Sequence, residues 1–146
     1  MAPIKESVEI ARRPEEVFAY LDELSRHSEW QGQLLSAHAD GPTKVGTRAT
    51  ETRKVGGREQ TMTYEVTEHS PPRTFGFRGV DGPIRVVGHG SVEPVGDGSR
   101  SRVTIELDFE GHGFGKLLRP LVLRQARKQV PQDQQRLKER LESGSA

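Results

Sequence analysis

The chain of 146 residues contains no cysteine, few aromatic residues and a net charge of only +1. The lack of cysteine excludes disulfide bonds, thiolate metal sites and a cysteine nucleophile, and it suits a cytoplasmic location. No apolar stretch approaches the roughly 20 residues of a membrane-spanning helix, and the first residues lack the apolar core of a signal peptide. The small net charge gives the chain as a whole no general affinity for nucleic acids. We therefore expect one soluble domain over residues 1–146, with no specific nucleic-acid partner.

The motifs of several enzyme and cofactor classes are also absent. No Gly-x-Ser-x-Gly elbow occurs, so a serine hydrolase has no support. The glycines of residues 111–116 suggest a phosphate loop, but their spacing differs and Leu117 follows the lysine. We interpret this segment as a flexible connection. No two histidines stand at the short spacing that places two imidazoles on one metal, so we expect no metal and no cofactor; the five are His27, His38, His69, His89 and His112.

Most of the chain has the alternating pattern of short strands. Residues 4–10 alternate between apolar and polar side chains and predict a first strand. Pro14, followed by Glu15 and Glu16, predicts the start of a short helix, and a second short helix could continue towards Trp30. Segments of the same alternating kind, separated by glycine, proline and aspartate turns, predict six further strands at residues 34–39, 46–55, 60–69, 74–80, 84–95 and 101–110. Gly56 and Gly57 predict a hairpin turn.

Residues 114–141 predict a long C-terminal helix. Its first half has an apolar stripe at helical spacing, which we expect to face the rest of the protein; the stripe is Phe114, Leu117, Leu118, Leu121, Val122 and Gln125. Pro131 predicts a kink, and Val130, Leu137 and Leu141 beyond it lie on a different side of the helix. From Phe114 to Glu142 there are eight cations and three anions. This balance of +5 fits a solvated outer face, or contact with an anionic surface or an acidic carrier protein.

Several short motifs follow one another in the order of a known family. They are residues 10–18 (IARRPEEVF), Asp22 leading to Trp30, Val45-Gly46-Thr47, residues 66–73 (VTEHSPPR), and Leu117-Leu118-Arg119-Pro120. With the order of elements, they resemble the START-like (SRPBCC) helix-grip superfamily, specifically its bacterial polyketide cyclase/dehydrase and lipid-transport branch. The resemblance implies an α+β fold in which a curved seven-stranded antiparallel sheet wraps around the long C-terminal helix. One or two short helices follow strand 1, and a cavity lies between sheet and helix.

The implied cavity has candidate lining residues. They are Trp30, Met62, Tyr64, Phe75, Phe77, Val86, His89, Phe109, Phe114, Leu118, Leu121 and Gln125. The same residues also fit a plain hydrophobic core, and if Phe75 and Phe77 point outward, Gly76 and Arg78 replace them inside. Tyr64 and Trp30 combine an apolar body with one hydrogen-bonding group, so they are the best candidates for polar contacts with a ligand. Gly88 and Gly90 lie within a strand and predict a bend or bulge.

Three functions fit these features. The first is binding or transport of a hydrophobic small molecule, lipid-like or aromatic, because no nucleophile, metal site or cofactor motif is identifiable. The second is an aromatase/cyclase-like enzyme acting on a polyketide chain, in which Tyr64, His89, Arg53 or Arg78 could move protons. The third is a protein that acts through its basic surface. The sequence identifies neither the ligand, the catalytic residues nor the oligomeric state.

Overall fold

Seven strands and one long helix form most of the chain in the computed structural model, which describes residues 3–55 and 57–144. The elements are β1 (Ile4–Ile10), α1 (Pro14–Leu21), a 3₁₀ helix (Leu24–Glu29), β2 (Leu34–Ala39), β3 (Arg48–Val55), β4 (Arg58–Ser70), β5 (Thr74–Gly79), β6 (Ile84–Val95), β7 (Arg100–Gly111) and α2 (Gly115–Glu142). The two short helices and six following strands agree with the sequence prediction. Gly57 has a φ of 81°, as the predicted hairpin turn requires, whereas Gly56 lies outside the described residues.

The strands form one antiparallel sheet in the order β1-β7-β6-β5-β4-β3-β2. Register shifts occur in two places, between Leu34 and Ser36 and between Val66 and Glu68. β6 pairs with both neighbours without any shift, so of the bend or bulge predicted at Gly88 and Gly90 the bulge is wrong. These glycines instead lie beneath aromatic rings of β5. A Cβ added at Gly88 would overlap the ring of Phe77, and one at Gly90 would overlap the ring of Phe75.

The register also assigns the two faces of the sheet. Tyr64 pairs with Gly79, Val66 with Phe77, and Phe77 with Gly88, so these residues share the concave face. The same alternation continues through β6, β7 and β1 to Ile10. Phe75 and Phe77 therefore point inward. Arg78 lies on the convex face, where it forms an ion pair with Glu110.

The densest packing lies where α1 and the end of α2 meet the concave face. A single hydrophobic cluster contains the buried residues Ile10, Val17, Phe18, Tyr20, Leu21, Trp30, Val92, Val103, Leu137 and Leu141. His69 of β4 also reaches this end, where its Nε2 lies 2.9 Å from Oδ1 of Asp22, just after α1. The core therefore fixes α1 and the C-terminal half of α2 against the sheet.

The predicted inward stripe of α2 is wrong except at Val122, which is partly buried. Phe114, Leu117 and Leu121 are 67, 81 and 62% exposed, and Gln125 is exposed as well. The side that meets the sheet is offset by about half a turn and contains the buried residues Gly115, Leu123, Asp133, Gln134, Leu137 and Leu141. Polar residues interrupt this side in the middle, so its apolar periodicity is weak in the sequence. The helix assignment continues without a break through Pro120 and Pro131.

Candidate functional site

The concave face is packed unevenly along its length. At the end near α1, Ile10, Val92 and Val103 are completely buried. Towards the β5–β6 turn and the start of α2, the inward residues remain partly accessible to solvent; they are Met62, Phe77, Val86, Leu107 and Phe109. Val122, Ala126 and Val130 of α2 are also only partly buried. These eight residues form a partly accessible apolar surface between the sheet and α2, which is called the apolar hollow below and is the candidate site.

Six of the twelve predicted lining residues share this concave face. They are Met62, Tyr64, Phe75, Phe77, Val86 and Phe109. Tyr64 and Phe77 pack against each other with ring centroids 5.6 Å apart. Phe75 packs against Phe18 of α1 with ring centroids 6.1 Å apart, so it joins the hollow to the core. The structure therefore places on one face six of the seven lining residues predicted from β4 to β7, and His89 is the exception.

The other six residues lie elsewhere. Trp30 belongs to the hydrophobic core cluster. His89 lies on the convex face, where Nε2 is 3.3 Å from Glu68 and Nδ1 is 3.6 Å from Glu106. The last four are on the exposed side of α2, away from the sheet: Phe114, Leu118, Leu121 and Gln125. The predicted inward position of His89 is therefore wrong. Gly88 and Gly90 face inward, so His89 between them points to the convex face.

Polar groups form a chain at one side of the hollow. The guanidinium of Arg53 donates to Oε1 of Gln31 at 2.5 Å and, through Nε, to Oε1 of Glu51 at 3.2 Å. The Gln31 amide then lies 3.4 Å from Nδ1 of His27, whose Nε2 lies 2.6 Å from the carbonyl oxygen of Leu21. These distances fit a neutral imidazole that donates through Nε2 and accepts through Nδ1. Burial lowers the pKa of His27, which keeps it in that form.

Ala49 pairs with Tyr64 and therefore faces the concave side. Glu51 and Arg53 follow at every second position of β3, so their side chains point to the same face. The side chains of Arg53 and Glu51 are only 22% and 13% exposed, so a charged pair lies beside apolar surface. Arg53 was predicted from sequence as a possible proton carrier, whereas Glu51, Gln31 and His27 were not predicted as site residues. The alternation of β3 gives no signal for them, because charged residues at every second position usually mark the solvated face of a strand.

Tyr64 carries a hydroxyl group with no hydrogen-bond partner among residues 3–55 and 57–144. The residue is 7% exposed, and its hydroxyl accepts or donates no hydrogen bond within the described part of the chain. Burial raises the pKa of Tyr64 above its ordinary value, with the charge of Glu51 adding to the effect and that of Arg53 opposing it. The phenol is therefore protonated at neutral pH and available as a hydrogen-bond donor. The indole Nε1 of Trp30 is a second buried donor that has no partner among the described residues.

The chemistry available in the hollow is thus apolar contact plus a few hydrogen bonds and one charged pair. Among residues 3–55 and 57–144, no group of three or more histidine, aspartate and glutamate side chains is arranged to hold a metal ion. Within the same residues, no helix has the length and hydropathy needed to cross a bilayer.

Comparison with known proteins agrees with this architecture. The family described as polyketide cyclase / dehydrase and lipid transport matches residues 1–143. No curated protein sequence matches the chain significantly. Solved structures do match across almost the whole chain, although their low sequence identities support only a shared fold.

Three of these similar structures are described here. The protein TTHA0849 from Thermus thermophilus is 22% identical with a TM-score of 0.80, and the alignment covers 98% of this chain and 99% of that one. The Zhui aromatase/cyclase from Streptomyces sp. R1128 is 14% identical with a TM-score of 0.81, covering 94% and 93%. A START superfamily protein from Mycobacterium smegmatis is 14% identical with a TM-score of 0.78, covering 96% and 97%. With its seven-stranded sheet and long C-terminal helix, this chain belongs to the polyketide cyclase/dehydrase and lipid-transport family and has the START-like helix-grip fold.

Proposed function

We propose that this protein binds a hydrophobic small molecule in the apolar hollow and carries it without chemical change. The observation that supports this most directly is the contrast along the concave face. One end is fully packed, whereas Met62, Phe77 and Val86 at the other end keep part of their apolar surface accessible. A hydrophobic ligand that covers accessible apolar surface is stabilised by roughly 25 cal/mol for each Å² removed from water.

The polar groups restrict the chemistry of the ligand. The protonated Tyr64 hydroxyl suits a hydrogen-bond acceptor such as a carbonyl or ether oxygen. Arg53 presents a cationic guanidinium already held by Glu51 and Gln31, so a neutral or weakly polar group fits beside it better than a second cation. A flat aromatic or an elongated lipid-like molecule with one or two oxygen atoms meets these requirements.

An aromatase/cyclase-like activity is the second candidate, because a charged pair and a free phenol share the hollow with aromatic side chains. In a poly-β-ketone chain bound there, Arg53 would stabilise the negative charge of an enolate oxygen and Tyr64 would donate a hydrogen bond to a neighbouring ketone. The Zhui aromatase/cyclase resembles this chain in fold. Co-expression with a minimal polyketide synthase tests the idea. A change in cyclised products that disappears in Arg53→Gln supports it, and an unchanged profile removes it.

Binding is tested by comparing two neighbouring valines of β6. Val86 pairs with Phe109 on the concave face, whereas Val87 is 36% exposed on the convex face. A tryptophan at position 86 would fill part of the hollow, while one at position 87 would extend into solvent. A fluorescent fatty acid and a fluorescent polycyclic aromatic serve as probes. We expect Val86→Trp to weaken binding of at least one probe about tenfold or more, as loss of a large apolar contact would, and Val87→Trp to leave it unchanged.

Equal binding of both variants and the unmodified protein would place any probe outside the hollow and refute the proposal. Tyr64→Phe adds a chemical readout. It should weaken binding of probes that carry an oxygen acceptor and leave purely hydrocarbon aromatics unaffected. Thermal unfolding of each variant shows whether a loss of binding reflects a loss of folding.

A further inference from the structure

The first turns of α2 present an apolar surface to solvent. Phe114, Leu117 and Leu121 are more than half exposed, and Leu118 is 37% exposed. These four residues, called the α2 apolar patch below, lie on the side of the helix opposite the buried Leu123. Single exposed apolar residues are common, but a contiguous group of four large ones on one helix face marks an interaction site.

The residues around the patch are cationic. Residues 111–132 contain no aspartate or glutamate but contain Lys116, Arg119, Arg124, Arg127 and Lys128. Arg119 pairs with Asp108 at 2.7 Å, whereas the other four form no ion pair with any described residue. Arg124 follows Leu117 by two turns and Lys128 follows Leu121 by two turns, so they continue the exposed side of the patch. Arg119, Arg124, Arg127 and Lys128 also line an open depression along the flank of α2, together with Pro120 and Leu123.

The patch lies beside the end of the hollow at the β5–β6 turn, which is called its open end below because Val86 and Phe109 there are partly accessible. Gly115 at the start of α2 contacts the backbone of Pro83 in the β5–β6 turn, since a Cβ added there would overlap the Pro83 carbonyl oxygen. Arg119 one turn later donates to the carbonyl oxygen of Phe109 at 2.6 Å. Phe109 and Val86, which pair beside this turn, are among the partly accessible residues of the hollow. An apolar ligand that leaves the hollow at this end would emerge beside the patch.

We propose that the α2 apolar patch and its unpaired cations dock this protein onto an anionic phospholipid bilayer, with the open end of the hollow turned towards the membrane. The leucines and Phe114 would enter the boundary between headgroups and acyl chains, and Arg124 and Lys128 would contact lipid phosphates. A second copy of the chain is a poorer occupant, because a two-fold interface would bring the same cations face to face. The orientation of the hollow rests on the proposed ligand binding; the docking itself does not.

Vesicle flotation tests the docking, with vesicles of phosphatidylcholine alone and of phosphatidylcholine mixed with phosphatidylserine. We expect binding to the anionic vesicles only, weakening as salt is raised. The double variant Leu117→Ser/Leu121→Ser should lose about tenfold or more in affinity. Arg124→Gln/Lys128→Gln should lose roughly fivefold per cation removed. The matched controls are Leu35→Ser, an exposed leucine of β2 at 47%, and Lys54→Gln on β3; both should bind like the unmodified protein.

The Val86→Trp variant separates this inference from the proposed ligand binding. It should bind anionic vesicles normally while failing to bind the fluorescent probe, and a loss of both together would refute an independent docking surface. Absence of vesicle binding, or binding unaffected by the leucine and cation variants, overturns the proposal. Sedimentation equilibrium measures whether the protein forms a dimer. A dimer that dissociates in Leu117→Ser/Leu121→Ser, without vesicle binding, would assign the patch to a second copy instead.

Discussion

Asp133 of α2 accepts a hydrogen bond from the backbone amide of Gly32, with 3.0 Å between Oδ1 and N. The two residues are far apart in sequence, and this bond joins the second half of α2 to the segment between the 3₁₀ helix and β2. Gln129 donates to the same oxygen at 2.8 Å. A Cβ added at Gly32 would overlap the guanidinium of Arg136, so the absence of a side chain there permits the close approach.

Replacing Asp133 should therefore destabilise the protein in a manner that depends on the substitute. Asp133→Ala removes the acceptor of a partly buried hydrogen bond, and we expect a loss of about 1–3 kcal/mol. Asp133→Asn keeps an acceptor oxygen and should cost less. Urea unfolding of the three proteins at neutral pH measures both values. Equal losses for the two variants would mean that the charge of Asp133, and not its acceptor role, stabilises this junction.

The burial of Asp133 should also make the stability of the protein depend on pH. Burial raises the pKa of Asp133 above its usual value of 3.8, although its hydrogen bonds oppose the effect. The folded state consequently binds a proton more tightly than the unfolded state, and this carboxyl reduces stability as pH rises from 3.8 through its folded pKa. The free energy of unfolding of Asp133→Asn, minus that of the unmodified protein, should therefore increase over this interval and stay constant above it. A constant difference throughout would contradict the raised pKa.

Two leucines of α2 should respond in opposite ways to truncation. Leu137 is completely buried against the sheet, whereas Leu117 is 81% exposed. Leu137→Ala should destabilise the protein by about 2–5 kcal/mol through lost contacts and a cavity. Leu117→Ala should change stability by no more than about 0.5 kcal/mol. Denaturant midpoints with unchanged slopes would measure this, and a large loss for Leu117→Ala would restore the inward stripe predicted from sequence.

His27 should make the fold sensitive to mild acid. Burial lowers its pKa below the ordinary 6.5, so the unfolded state binds the proton more readily. Its contribution to stability is complete above 6.5 and is lost as pH falls from there through the folded pKa. Unfolding curves collected from about pH 8 to about pH 5 should show this decline, and His27→Gln should flatten it. His38→Gln is the control because its side chain is 82% exposed, and it should reproduce the original profile.

Gly88 should not tolerate even a methyl group while Phe77 is present. Its added Cβ would overlap the Phe77 ring, which forces the ring to move and should cost about 1–3 kcal/mol. Phe77→Leu combined with Gly88→Ala should recover part of this loss, because the smaller side chain clears the space. Double-mutant analysis of thermal unfolding measures the coupling. Additive effects of the two changes would show that the ring and the glycine do not compete for volume.

The sequence predicted the fold well because alternation and turn residues mark the strand boundaries directly. It predicted the faces of β4 to β7 less completely, since Gly88 and Gly90 carry no side chain that reports an inward position. For α2 the prediction failed for a physical reason. The strongest apolar stripe, Phe114 to Leu121, is the exposed one, and the sheet-facing side includes the buried polar residues Asp133 and Gln134. A search for apolar periodicity selects the wrong side of such a helix.

The sequence predicted only part of the candidate site. Tyr64 was predicted as a polar contact because a tyrosine has an apolar ring and one hydrogen-bonding hydroxyl group. The hydrogen-bonded chain from His27 through Gln31 to Arg53 joins the 3₁₀ helix, the segment that follows it and β3. Arg53 is distant in sequence from the other two, so no local pattern predicts that arrangement.

Because the concave face is packed unevenly, substitutions at its two ends should differ in their cost to stability. Substitutions near Ile10, Val92 and Val103 disturb a completely buried core and should be removed by selection for folding. Substitutions near Val86 and Phe109 meet partly open space, so their size and polarity can change at little cost in stability. Related chains could therefore acquire new ligands by altering one half of the sheet while the half beneath α1 stays the same.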